Sequence, residues 1–188
     1  MSVNLLELVQ KSLDYPPLQK IDANTQEVVL DPTKPDTNRF AQAAIPTVLI
    51  GLATFSKNVE SLNDIFGNEL SKPLTTTIFG ETKNEIIKKV ANYAYYNEAV
   101  AETKMNEIAE KATLIMMESL PAEKTNQQIN DFFEEQKIEV LKYLPNELQI
   151  GQTLNNNAID DQTHKMEGPI SSLMHVLENT FSTTTTKE

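Results

Sequence analysis

Phe40-Ala41-Gln42-Ala43-Ala44-Ile45-Pro46-Thr47-Val48-Leu49-Ile50-Gly51-Leu52-Ala53-Thr54-Phe55-Ser56 is a run of seventeen residues without a charge, closed by Arg39 and Lys57. Its apolar residues cover every face of a helix, and such a helix belongs either in a membrane or in the middle of a protein core. Seventeen residues is the lower limit for a span, and this run contains Gln42, Pro46, Thr47, Gly51 and Thr54. The reading is therefore a buried central helix over 40–55, with Asp36 or Thr37 as its N-cap. Pro46 lacks the N–H that would serve the Gln42 carbonyl and should kink the helix there, while Gly51 admits a close neighbour.

Outward from this run, the rest of the chain supplies helices to surround it. Leu5, Leu6, Val9 and Leu13 mark a helix over 3–14, stopped by Pro16 and Pro17. Residues 16–36 carry four prolines and little periodicity, which predicts a long loop or arm packing over the surface, with one short extended piece at 26–30. Leu62, Ile65, Phe66 and Leu70 give a short helix over 58–71, closed by Pro73 and Thr75-Thr76-Thr77. Ile86, Ile87, Val90, Ala91 and Ala94 stripe a helix over 81–95. A second central helix spans 98–120, with Met105, Ile108, Ala109, Ala112, Ile115, Met116 and Leu120 on one side. Thr125 caps a helix that faces Ile129, Phe132, Phe133, Val140 and Leu144 inward and ends at Pro145, and a shorter turn follows to Leu154. After a polar connector over 155–165, Pro169 opens a last helix with Ile170, Leu173, Met174, Leu177 and Phe181 on one stripe. Together these predict one all-α domain over 1–181, a bundle of about seven to eight helices, followed by a disordered threonine-rich tail over 182–188.

Composition excludes much chemistry. With 188 residues, five glycines and no cysteine, the chain is neither glycine-rich nor turn-dense, and it has no thiolate or disulfide chemistry. A net charge of -11, borne mostly by the C-terminal half, repels polyanions, and no basic patch compensates, so no nucleic-acid partner is expected. Arg39 is the sole arginine beside fifteen lysines. The N-terminus has no basic region and places Glu7 inside its apolar stretch, unlike a signal peptide, so a cytoplasmic protein without a membrane span is expected.

A di-metal carboxylate bundle needs two Glu-x-x-His pairs, and neither His164 nor His175 has Glu three residues before it. Asp161 and His164 have the nearest spacing but lie in the polar connector. Glu98, Glu102, Glu107, Glu110 and Glu118 accumulate along one predicted helix, yet Lys104 and Lys111 interleave with them, as on a solvated face. No nucleophile elbow and no phosphate-binding glycine loop is present. No catalytic residue, metal ligand or cofactor is expected. Tyr93, Tyr95 and Tyr96 cluster at a helix end, where tyrosines serve either core packing or a binding surface; they are the candidate interaction residues.

Three segments carry a family resemblance: Ala43-Ala44-Ile45-Pro46-Thr47-Val48-Leu49-Ile50-Gly51-Leu52-Ala53, then Ile78-Phe79-Gly80 with the later apolar run Leu114 to Met117, and Gln136-Lys137 with Leu144-Pro145-Asn146-Glu147-Leu148. Over about residues 3–154 the chain resembles the YidB-like bacterial group, domain of unknown function 937. It departs from that group in its few glycines, the arm over 16–36 and the helix after Pro169. The resemblance implies an all-helical bacterial protein with no established catalytic residues. The function expected is a non-catalytic interaction or scaffold module, engaging an unknown protein partner or a second copy of itself. The alternative is a small-molecule or lipid binder using a cavity beside the helix over 40–55.

Overall fold

The computed structural model describes residues 3–21, 36–57, 72–156 and 159. The described residues form an all-α bundle with no strand. Its helices are α1 (Leu5–Ser12), α2 (Asp36–Phe55), α3 (Leu74–Phe79), α4 (Lys83–Ala94), α5 (Glu98–Ser119) and α6 (Asn126–Leu141), with a last helical turn at Ile150–Thr153. The helices predicted over 58–71 and after Pro169 lie outside the described residues, as do His164, His175, most of the 16–36 arm and the tail.

The uncharged run forms the axis. α2 touches each of the other five helices, and Phe40, Ile45, Val48, Ile50 and Leu52 are fully buried. At about 1.5–3 kcal/mol for each large apolar side chain removed from water, this one helix supplies a substantial share of the driving force. Protein surrounds it on all sides, and no helix among the described residues is long and apolar enough to cross a membrane. α2 runs on through Pro46 without interruption and is already helical at Asp36, which puts Thr37 inside the helix.

Gln42, the amide in this run, is buried and acts as a clasp. Its side chain accepts from the Gln19 N–H at 2.8 Å and donates to the Gln19 carbonyl at 3.0 Å and the Tyr143 carbonyl at 2.7 Å. Three hydrogen bonds to backbone satisfy the amide and fasten two otherwise separate segments to the core. The described start of the arm is thereby held on the surface, and Ile21 N–H adds a bond to the Lys142 carbonyl at 2.8 Å. Gly51 shows the close approach expected of it: a Cβ built there would overlap the Phe79 ring on α3.

Two local expectations are corrected. Thr75-Thr76-Thr77 do not close a helix; they lie within α3. Pro73 stands just ahead of α3, where a missing N–H removes no intrahelical bond, and Leu74 and Ile78, four residues apart, face the core. The helix predicted over 81–95 begins instead with a 3-10 turn at Gly80–Thr82 and runs as α4 only to Ala94, leaving Tyr95 outside it as its cap.

The remaining stripes fall where periodicity puts them. Ile86, Ile87, Val90, Ala91 and Ala94 are buried on α4. Met105, Ile108, Ala109, Ala112, Ile115 and Met116 are buried on α5, while Val100, Leu114 and Met117 on the same helix are exposed. Thr125 caps α6 by a capping box, its Oγ1 accepting from Gln128 N–H at 3.2 Å while Gln128 Oε1 accepts from Thr125 N–H at 2.9 Å.

Candidate interaction surface

Burial of the α4 stripe determines where the three predicted tyrosines go. With Ala91 and Ala94 facing the core, Tyr93 is half-buried, Tyr95 is 74% exposed and Tyr96 turns back to half-burial. The reversal is a Schellman cap: Tyr96 N–H donates to the Ala91 carbonyl at 2.9 Å and Tyr95 N–H to the Asn92 carbonyl at 3.3 Å. It requires a left-handed residue, and Tyr95 supplies it at φ 58°, ψ 35°. Glycine adopts this conformation freely, whereas a bulky residue there is an outlier costing about 1–2 kcal/mol.

The tyrosines therefore divide. Tyr96 belongs to the fold: its ring stacks on Phe40 of α2 with centroids 4.9 Å apart and planes at 25°, and Tyr15 tilts against the same phenylalanine at 6.1 Å. Tyr93 lies partway. Burial, reinforced by Glu147 and opposed by Arg39, pushes its phenol up to about 12, so the hydroxyl stays protonated at physiological pH. Tyr95 contributes almost nothing to the core and instead carries the Arg39 guanidinium over its ring, 4.9 Å from the centroid.

Arg39 is the residue that sequence reasoning passed over. The sole arginine borders the uncharged run and is half-buried, with its guanidinium over the Tyr95 ring and its charge acting on Tyr93. Its position at the boundary of the most buried helix was the available signal.

Elsewhere the polar groups serve structure. Glu102 pairs with Lys83 at 2.6 Å and Glu110 accepts from Asn106 at the same distance. Lys89 donates to Thr153 at 2.6 Å, holding the last turn against α4. Among the described residues no group of three or more His, Asp or Glu side chains could hold a metal. A groove of about 250 Å³ lies between α1, the start of the arm and Tyr143, lined by Asn4, Leu6, Gln10, Pro17 and Leu18 among others. None of its lining comes from α2. No protein-family model, no curated protein and no solved structure matches the chain.

Proposed function

We propose that the chain is a non-catalytic interaction module that docks a protein partner, or a second copy of itself, through the corner built on Tyr95. The observation that carries this reading is Tyr95 itself, a large aromatic ring three-quarters exposed in a backbone conformation that glycine would occupy at lower cost. Exposed aromatics beside an arginine are the residue types enriched where interfaces concentrate their binding energy. The similarity to the YidB-like bacterial group, carried by Ala43 to Ala53 and the later Leu-Pro segment, is part of the same proposal and agrees with a helical module lacking catalytic residues.

The test is a photo-crosslinking amino acid placed at position 95 in the native cell. A discrete adduct is expected from position 95 and not from Glu110, which is exposed on α5. Equal adducts from both positions, or none from either, would remove the surface from consideration. The groove beside α1 favours a second reading, a small-molecule or lipid binder, though at a different place from the cavity expected beside α2. Native mass spectrometry of the purified protein separates the two, since only the second predicts a retained ligand.

A further inference from the structure

In a chain with 27 acidic and 16 basic residues, an arginine has abundant carboxylates to pair with. Among the described residues Arg39 enters no ion pair with any of them and no hydrogen bond, and its guanidinium lies over the ring of Tyr95. The residue is also half-buried, which restricts the positions its side chain can take. The ring offers the guanidinium no oxygen acceptor, and the N–H fork of an arginine matches a carboxylate in a bidentate pair. The Tyr93 hydroxyl, within electrostatic reach of Arg39, adds a protonated phenol nearby.

We propose that Arg39 and Tyr95 form a carboxylate-binding site, which takes a carboxylate presented by the docking partner, with benzoate as its small-molecule probe. The inference rests on the docking reading above and gives the partner's chemistry. A single arginine supplies one positive charge, and Glu147 lies close enough to Tyr93 to act on its phenol. In a protein of net charge -11 these favour a monoanion over a dianionic phosphate. The aromatic ring supplies the apolar contact and holds the guanidinium in one orientation before the ligand arrives, which lowers the ordering cost of binding.

The chain's single arginine gives this proposal a direct probe, since its side-chain Nε–H contributes one cross-peak to a nitrogen-15 correlation spectrum. Titration with sodium benzoate should move that peak saturably, with half-saturation on the order of millimolar. Benzamide, which has the same shape without the charge, should leave it in place, and inorganic phosphate should act more weakly than benzoate. In Arg39→Lys and Tyr95→Ala, followed by the backbone amide of Tyr96, affinity should fall about tenfold, the lysine variant because it lacks the planar fork. No saturable shift, an equal shift with benzamide, or a stronger one with phosphate would overturn the proposal. If benzoate fails while the crosslink at position 95 succeeds, the carboxylate site falls and the docking surface stands; if both fail, the docking reading falls as well.

Discussion

The ends of α1 and α4 share one backbone cap and differ in the side chain at its left-handed position. At the end of α1, Asp14 is left-handed at φ 54°, with Tyr15 N–H donating to the Gln10 carbonyl at 2.9 Å and Asp14 N–H to the Lys11 carbonyl at 3.2 Å. At the end of α4, Tyr95 and Tyr96 make the same two bonds. In both, the next residue is a tyrosine packed against Phe40. The turn at Ile150–Thr153 repeats the device with Asn155 at φ 52°. Asp and Asn are short polar residues that visit this conformation at modest cost, and tyrosine is not. The fold thus demands a left-handed residue at position 95 but not an aromatic one, and the excess is what points to function.

The largest expected effect comes from removing what the two ends share. Phe40→Ala deletes a fully buried ring against which both tyrosines rest, and should cost about 3–5 kcal/mol in denaturant unfolding. Amide exchange should rise at both caps; a rise at one alone would break the symmetry drawn here. Gln42→Ala comes next, at about 1–3 kcal/mol, because it abandons half-buried backbone groups at Gln19 and Tyr143. Its exchange signature should favour the α1 side, at Gln19 and Ile21, over the α4 cap.

A smaller effect depends on pH. Burial, with Glu107 and Tyr96 adding to it, pushes the Tyr15 phenol up to about 12 from an ordinary value of 10.0. Between those values the unfolded chain loses the proton that the folded chain keeps, so this contribution to stability is complete below about pH 10 and is lost as pH rises toward 12. Tyr93 behaves in the same direction. Tyr15→Phe should flatten the alkaline decline seen in unfolding titrations, and an unchanged slope would mean that Tyr15 is not buried enough to matter.

The architecture was legible wherever one helix face is buried, because burial writes its period into the sequence. The stripes on α4, α5 and α6 and the all-round apolar α2 are of this kind. The start of α3 was misread, since Pro73 and three threonines suit a helix end, and only the tertiary placement of Leu74 and Ile78 makes them a beginning. At the candidate surface, sequence located the tyrosine cluster but not the division of labour within it. Which ring stays exposed depends on the register of the cap, and which cation reaches it depends on α2 lying beside the end of α4. Neither contact has a local signature, as Arg39 and Tyr95 are far apart in the chain.

The most direct test of whether Tyr95 serves the fold or something beyond it is the stability of Tyr95→Gly beside that of Asp14→Gly. Glycine relieves the left-handed strain, against which loss of the Arg39 contact costs about 0.5 kcal/mol. Tyr95→Gly should therefore unfold at no lower denaturant concentration than the natural protein, with a gain of up to about 1 kcal/mol. Asp14→Gly should change stability by less than about 0.5 kcal/mol. A loss of more than about 1 kcal/mol in Tyr95→Gly would show that the fold needs this tyrosine, and would contradict the account.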